Sequence, residues 1–174
     1  MHIRPSHNSI FMGIMYACDY FFAIDYPSDD SYIYNAIMKC PNSSELVLMI
    51  IESIVHNVKN EVYTKHCLGI TGPGLHGDII RKYLNITKFR ECIMEKNNKV
   101  YVFACHKKTN NAEYGIFFKN TKIMDCRYPT YRQELQRICG GIHYSEDFKQ
   151  RNVYNDIITF KEHNDEDIVV KKTT

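Results

Sequence analysis

Residues 42–60, NSSELVLMIIESIVHNVKN, give the strongest secondary-structure signal of the chain. Asn42 is a predicted N-cap, Glu45 completes a capping-box pattern with it, and Asn60 is a predicted stop. Apolar side chains follow the helical repeat at Leu46, Ile50, Ile54 and Val58, with Val47, Ile51 and Val55 beside them. The stretch therefore predicts an amphipathic helix whose broad apolar stripe faces a core.

Apolar segments on both sides of this helix predict the remaining elements. Upstream, residues 10–24 form an apolar, aromatic stretch that ends in the acidic turn 25–30, and residues 32–38 form a short segment before Pro41. Downstream, the predicted elements are a short strand over 67–70, a helix over 78–84, hairpin strands over 100–105 and 114–118, a third strand over 123–126 and a helix over 131–138. This order of helices and strands predicts an α/β domain.

Length and composition predict one globular domain. The 174 residues include 44% hydrophobic and 24% charged side chains, which are ordinary values for a folded chain. We expect a single domain over residues 1–161. Charges of both signs alternate from residue 162 onward, so residues 162–174 are predicted to be a flexible charged tail.

Charge, hydropathy and cysteine content bound the partners and the compartment. The 22 basic and 20 acidic residues are scattered, whereas nucleic-acid binders usually cluster their basic residues, so no nucleic acid is expected as a partner. No apolar run reaches the roughly 18 residues of a membrane-spanning helix, so we expect no membrane span. The seven cysteines are odd in number and irregularly spaced, and no signal peptide is evident. This pattern predicts a reducing, intracellular setting, the cytoplasm.

The segment Gly72-Pro73-Gly74-Leu75-His76-Gly77 matches the G-x-G-x-x-G pattern. In a dinucleotide-binding fold, such glycines let the main chain approach a pyrophosphate at a helix N-terminus. The mid-chain position and the lack of a convincing second strand near Glu91 and Glu95 weaken that hypothesis. The alternatives are a tight turn whose glycines adopt positive φ, and a rigid loop that lines a sugar or phosphate pocket.

An acidic loop offers candidate ligands for a divalent cation. Asp25 and Asp29, with Asp19 and Asp30 nearby, supply the carboxylates that hold a cation bridging the phosphates of a nucleotide. The alternative is a solvated turn whose bend is set by proline and aspartate.

Zinc has its own candidate ligands, in His66-Cys67, in Cys105-His106 and in Cys139 with His143. Structural zinc sites usually contain two closely spaced ligand pairs, which this chain lacks. Adjacent residues of a strand point to opposite faces, so neither adjacent pair is expected to chelate one ion.

A last candidate lies in Gly140-Gly141-Ile142-His143-Tyr144-Ser145. Placed in a cleft after two glycines, His143 would donate to an anionic leaving group. The alternative is a partly buried histidine that follows the end of a helix.

Several of these segments occur in the order found in a known family. Asn35-Ala36-Ile37-Met38 with Cys40-Pro41, then the long helix, then Thr71-Gly72-Pro73-Gly74, resemble the second half of glycosyltransferase family 32, the DXD-type sugar transferases. The ending, with Gly140-Gly141 before His143 and with Val153-Tyr154, is similar to the C-terminus of giant-virus members of that group.

The resemblance implies a GT-A-like fold that uses a nucleotide-sugar and Mn²⁺ or Mg²⁺. It implies transfer of a hexosyl unit to a hydroxyl group of a glycan or protein acceptor. Carried onto this chain, the sugar pocket has Thr71, Gly72, Pro73 and Gly74 as its wall. Asn35 would lie beside a bound sugar, His143 would be the catalytic residue near the diphosphate, and Asp25 or Asp29 would hold the metal.

The chain also departs from the family pattern. The D-x-D triplet occurs only as Asp165-Glu166-Asp167 in the tail, outside the matched region. We therefore expect a partial GT-A-like domain without its N-terminal donor-binding half, which is either supplied by another chain or lost in a shortened, inactive remnant. A second hypothesis is a non-catalytic interaction module with an exposed apolar face, and a third is a dinucleotide-binding protein that uses residues 72–77.

Overall fold

The computed structural model describes residues 5–25, 31–108, 114–126, 137 and 148–154, with the side chains of its first helix from Ile10 onward. The helices are α1 (Pro5–Ala17), α2 (Glu45–Lys59) and α3 (Pro73–Leu84), with a short 3-10 turn over Cys67–Gly69. The strands are β1 (Tyr20–Asp25), β2 (Ile33–Lys39), β3 (Cys92–Lys96), β4 (Lys99–Lys108), β5 (Tyr114–Phe118) and β6 (Thr121–Asp125). The predicted mixed α/β class is confirmed.

The strands form one sheet in the order β2-β1-β4-β5-β6, and β3 also pairs with β4. Only β1 and β4 run parallel among the described pairs, and the other pairs are antiparallel. The first half of β4 pairs with β3 and its second half pairs with β5. The central strands β1 and β4 are buried over most of their length, which explains why both are continuous apolar runs.

Helices cover both faces of the sheet. On the face that we call the α3 face, Leu46 of α2 and Ile80 of α3 pack against Phe22 and Phe103. On the opposite α1 face, Phe11 meets Phe21 with the two rings edge to face, 6.2 Å apart. Alternation along the strands separates the faces, because successive side chains of a strand point to opposite sides.

The boundaries of α2 correct one prediction and confirm another. The N-cap is Ser44, whose Oγ accepts a hydrogen bond from the Val47 main-chain N–H, so the prediction of Asn42 is wrong. Ser43 has φ of 59°, and this left-handed residue prevents the helix from starting earlier. Asn60 ends the helix as predicted.

The apolar stripe of α2 is only partly buried. Leu46 and Ile50 lie in the core, but a second row of apolar side chains faces outward. This exposed row consists of Leu48, Ile51, Val55 and Val58, which are 54%, 51%, 43% and 48% exposed. The prediction that the whole stripe faces a core is therefore wrong for Ile51, Val55 and Val58.

The apolar stretch over residues 10–24 contains two elements, because a helix ends within it before a strand begins. Lys39 Nζ donates to the main-chain carbonyls of Met15 and Cys18, which satisfies the end of α1. β1 then begins at Tyr20. Within the described helices, none is long and apolar enough to cross a membrane.

Downstream of α2, the hairpin of β4 and β5 and the strand β6 are confirmed, whereas other predictions change. The strand predicted over 67–70 is wrong, since a 3-10 turn occupies Cys67–Gly69. Helix α3 begins at Pro73 rather than at Asp78. β3 was not predicted. Of the helix predicted over 131–138 only Arg137 is described, and residues 162–174 lie outside the described residues.

Candidate active site

Two polar side chains meet where the parallel central strands end. Asp25 is the last residue of β1, and His106 faces it in the register of β4. Asp25 Oδ1 and His106 Nδ1 are 2.8 Å apart. An ionised carboxylate only accepts hydrogen bonds, so Nδ1 carries the hydrogen and the neutral ring has its lone pair on Nε2.

The imidazole of His106 is buried between aromatic rings. Its side chain is 6% exposed. The Tyr34 ring of β2 stacks on it at 4.0 Å and 11°, and the Tyr114 ring of β5 lies at 5.7 Å and 29°. Nε2 is buried, and none of the described residues is its hydrogen-bond partner. A buried polar atom without a partner costs about 1–3 kcal/mol, so this atom is a candidate for a chemical role.

The Thr71-Gly72-Pro73-Gly74 loop forms the beginning of α3. Gly72 is the N-cap, Pro73 occupies the first turn, and Thr71 is exposed. The φ of Gly72 is −105°, so the predicted turn with positive φ is wrong at this glycine. Close packing explains Gly74 instead, because a Cβ there would lie 3.1 Å from the main-chain oxygen of Leu68.

Helix α3 runs antiparallel to the central strands. Near its C-terminus the carbonyl of Tyr83 accepts a hydrogen bond from Lys96 Nζ at 2.9 Å, and Lys96 pairs with Lys99 at the start of β4. Near its N-terminus, Gly77 approaches the Ser31 carbonyl so closely that a Cβ would lie 1.9 Å from that oxygen. The neighbouring Tyr32 carbonyl accepts from Asp25 N–H at 3.0 Å. The loop over 71–74 and the Asp25–His106 pair therefore lie at the same edge of the sheet, the carboxyl edge of β1 and β4.

The loop is fixed from the inside by buried polar side chains. Asn57 Nδ2 donates to the Ile70 carbonyl at 2.7 Å, immediately before the loop. His76 Nδ1 donates to the Gly72 carbonyl at 2.8 Å. Asn57 and His76 are 9% and 6% exposed. Rigid support of this kind keeps a binding loop in one geometry before its ligand arrives.

Asn35 lies in an irregular part of β2 near the same edge. Phe22 pairs with Met38 and Ile24 with Ile33, so residues 34–37 of β2 oppose Ala23 alone. The pairing slip leaves Asn35 exposed, while its neighbour Tyr34 contacts His106. Bulges often redirect a side chain beside an active site. The structure thus brings Asp25, Asn35 and the loop over 71–74 to one edge.

The predicted Mn²⁺ or Mg²⁺ centre lies only partly within the described residues. Asp25 contributes one carboxylate, whose Oδ1 contacts His106, and Asp29 lies outside the described residues. Hard divalent cations take several oxygen ligands. No group of three or more His, Cys, Asp or Glu side chains in the described part of the chain is arranged to hold a metal ion.

The predicted cysteine and histidine candidates are separated. Cys105 packs on the α3 face, whereas His106 stacks on Tyr34, which packs on the α1 face. Burial raises the pKa of the Cys105 thiol to about 11, and the neighbouring Glu91 carboxylate adds to this effect. The thiol is therefore protonated near neutral pH and is a poor nucleophile. His143 and Cys139 lie outside the described residues.

The elements around the loop over 72–77 differ from those that a dinucleotide-binding loop requires. The loop follows a 3-10 turn rather than a strand, and β3, which comes after α3, runs antiparallel to β4. A dinucleotide fingerprint needs a strand before its glycines and a parallel strand after its helix.

Sequence reasoning missed His106 as the partner of Asp25, together with the rings of Tyr34 and Tyr114. One signal was present, since Asp25 and His106 are polar residues that each follow a continuous apolar run. Such residues at the carboxyl ends of central parallel strands are frequent site residues. Comparisons with family models, curated proteins and solved structures find no match for this chain.

Proposed function

We propose that this protein is a glycosyltransferase-like protein that takes part in the transfer of a hexosyl unit from a nucleotide-sugar to a hydroxyl acceptor. The observation that carries the proposal is that three features lie at the carboxyl edge of β1 and β4, with the Asp25–His106 pair on the α1 face and the loop over 71–74 on the α3 face. These features are the N-terminus of α3 with its loop over 71–74, the exposed Asn35, and the Asp25–His106 pair. Ligands of open α/β sheets bind at this edge.

Each feature supplies chemistry that a nucleotide-sugar needs. The N-terminus of a twelve-residue helix attracts a diphosphate through its main-chain N–H groups and its dipole. Close packing at Gly74 leaves little room for the loop to move. The Asn35 amide and the Thr71 hydroxyl both donate and accept, which suits sugar hydroxyls.

The other parts of the proposal extend beyond the described residues. Another chain would complete the donor site that the loop over 71–74 and Asn35 begin on this one, and a role of His143 near the diphosphate and the GT-A-like arrangement also belong to the proposal. The requirement for Mn²⁺ or Mg²⁺ is a separate prediction, which chelation tests directly.

Titration of the purified chain with UDP- and GDP-sugars in the presence of Mn²⁺ tests the function. We expect heat of binding in calorimetry and a rise of the melting temperature with at least one donor, because a ligand that binds only the folded state stabilises it. Thr71→Val should weaken that binding about five- to tenfold, since it removes a hydroxyl worth roughly 1–1.5 kcal/mol. Adding EDTA should abolish the binding if a divalent cation is required.

Thr87→Val is the matched control, because Thr87 is also exposed but follows α3. This variant should bind the donor like the unmodified chain. The absence of heat and of any melting shift with every donor would contradict a complete donor site on this chain.

A second candidate function is an interaction module, and the exposed row of α2 favours it. Leu48, Ile51, Val55 and Val58 alternate in steps of three and four residues, the spacing of a coiled-coil seam. We assign a second copy of this chain as the occupant. Antiparallel pairing of two α2 helices places the acidic start of one, at Glu45, near the basic end of the other, at Lys59.

Size-exclusion chromatography with light scattering tests this candidate. We expect a dimer that dissociates on dilution, because a pair of fifteen-residue helices buries less than the roughly 1,200 Å² typical of stable interfaces. Ile51→Glu should abolish the dimer, since it places a charge in the seam. Ile93→Glu is the control, because Ile93 is 55% exposed on β3, away from α2. A monomer at every concentration would contradict the interaction module.

A further inference from the structure

We propose that the Asp25–His106 pair accepts the proton of the acceptor hydroxyl, with His106 Nε2 as the accepting atom. This inference rests on the proposed transfer function and assigns the base that such a reaction uses. His106 is not among the residues carried over from the family resemblance, so its assignment as the base rests on the geometry alone.

The contact with Asp25 determines the tautomer of His106. Asp25 Oδ1 accepts from His106 Nδ1 at 2.8 Å, which keeps the hydrogen on Nδ1 and the lone pair on Nε2. A carboxylate that holds a histidine in this way also stabilises the imidazolium formed when Nε2 takes a proton. The pair therefore has the arrangement of a general base and the group that orients it.

Aromatic rings surround the His106 imidazole. Tyr34 of β2 and Tyr114 of β5 cover the imidazole, and aromatic faces attract a cation. Asp25 of β1 supplies the opposite charge in direct contact. Lys108 Nζ lies 5.8 Å over the centre of the Tyr114 ring. Lys107, which follows His106, instead lies over the Phe117 ring at 4.9 Å.

Nε2 of His106 has no hydrogen-bond partner among the described residues. Most buried polar atoms in proteins have a hydrogen-bond partner, and a polar side chain that lacks one calls for an explanation. Nε2 of His106 is such an atom, and its side chain is more than nine-tenths buried. A hydroxyl group that donates to Nε2 would satisfy the lone pair and place its oxygen at the carboxyl edge. The chemical class of this ligand is a sugar or other alcohol.

In the proposed reaction, the acceptor oxygen forms a bond to the anomeric carbon of the donor sugar, and the bond between that carbon and the diphosphate oxygen breaks. The electron pair of the broken bond leaves with the nucleoside diphosphate. The hydroxyl proton moves to Nε2, so that an imidazolium faces the Asp25 carboxylate until the proton passes to solvent.

The experiment compares variants in transfer from the donor identified by titration to a panel of methyl glycosides. We expect His106→Gln to lower kcat about 100-fold with unchanged donor affinity, as loss of a general base does. Asp25→Asn should also lower kcat, because the carboxylate that orients the ring and faces the imidazolium is gone.

His56→Gln is the control, because His56 is exposed on α2 and its ring contacts Asn60 rather than the Asp25–His106 pair. It should keep the kcat of the unmodified chain. Long-range ¹H–¹⁵N spectra of the unmodified chain provide a measurement that does not depend on activity, and they should show His106 as the Nδ1–H tautomer.

The possible failures are distinguishable. If no donor binds or reacts with the unmodified chain, the transfer function itself fails and the base assignment fails with it. If the unmodified chain transfers sugar and His106→Gln keeps its kcat, the base assignment alone is overturned. An Nε2–H tautomer at neutral pH would also overturn it, whatever the activity.

Discussion

Replacing Gly77 with alanine is expected to destabilise the protein by about 3 kcal/mol or more, at or above the upper end of the cost of overpacking. The new Cβ would lie 1.9 Å from the Ser31 main-chain oxygen, far inside van der Waals contact. A shift of this oxygen would disturb a second contact, because the oxygen also accepts a hydrogen bond from Arg81 Nη1 at 2.6 Å. Helix propensity alone favours alanine by roughly 1 kcal/mol, so the measurement decides between propensity and packing.

Thermal and urea unfolding measure this effect, and Gly13→Ala is the matched control. Gly13 also lies within a helix, and a Cβ there would meet nothing within 4 Å. The control should therefore be neutral or stabilise by up to about 1 kcal/mol. Equal stability of Gly77→Ala and the unmodified chain would mean that α3 does not pack on Ser31 as described, and the shared edge of the site would lose its support.

The parts of the fold that depend on short-range patterns could be predicted from the sequence. Helix α2 follows from its repeat, and Asn60 follows as its stop. The strands β4 and β5 follow from apolar runs separated by a polar turn. In each case the information lies within one element and its neighbours, where periodicity is sufficient.

Other elements gave weaker or ambiguous signals. An apolar run alone does not distinguish a helix from a buried strand, so parts of α1 and β1 form one apolar stretch in the sequence. β3 has alternating partial burial and includes Glu95 and Lys96, which lowers its hydrophobic signal. Its turn contains Asn97 and Asn98, both with positive φ, and this Asn pair was the local signal for the hairpin.

The candidate site depends on contacts between distant parts of the chain, which no local pattern encodes. Asp25 and His106 are 81 residues apart, and they meet only because β1 and β4 are parallel neighbours. The glycine at 77 is explained by Ser31, which belongs to a different segment. The sequence thus showed the candidate side chains, while the sheet order and the direction of α3 determine which of them share an edge.

Support of the loop over 71–74 leads to the second large effect. Asn57→Asp is expected to cost about 3 kcal/mol or more at neutral pH, because it replaces a buried amide donor with a carboxylate. The new carboxylate would face the Ile70 carbonyl, which now accepts from Asn57 Nδ2 at 2.7 Å. For a chain of this size such a loss lowers the melting temperature by roughly 6–12 °C.

Asn60→Asp tests whether burial, rather than the loss of an amide donor, causes this effect. Asn60 Nδ2 also donates to a main-chain carbonyl, that of His56 at 2.8 Å, but at an exposed position on the same helix. In water the new charge remains solvated, so we expect a loss of about 1 kcal/mol or less. Comparable losses in the two variants would contradict the burial argument.

The pH dependence of the Asn57→Asp variant separates desolvation from simple loss of packing. A buried carboxyl without a cationic partner favours its neutral form, so its pKa should lie above the usual value of about 4. Stability lost to this group is then largest at neutral pH and is recovered as the pH falls through the raised pKa, where the protonated oxygen donates to the Ile70 carbonyl. Unfolding measured from neutral to acidic pH should show the difference from the unmodified chain shrinking. A difference that stays constant over this range would mean that shape, and not charge, determines how Asn57 holds the loop.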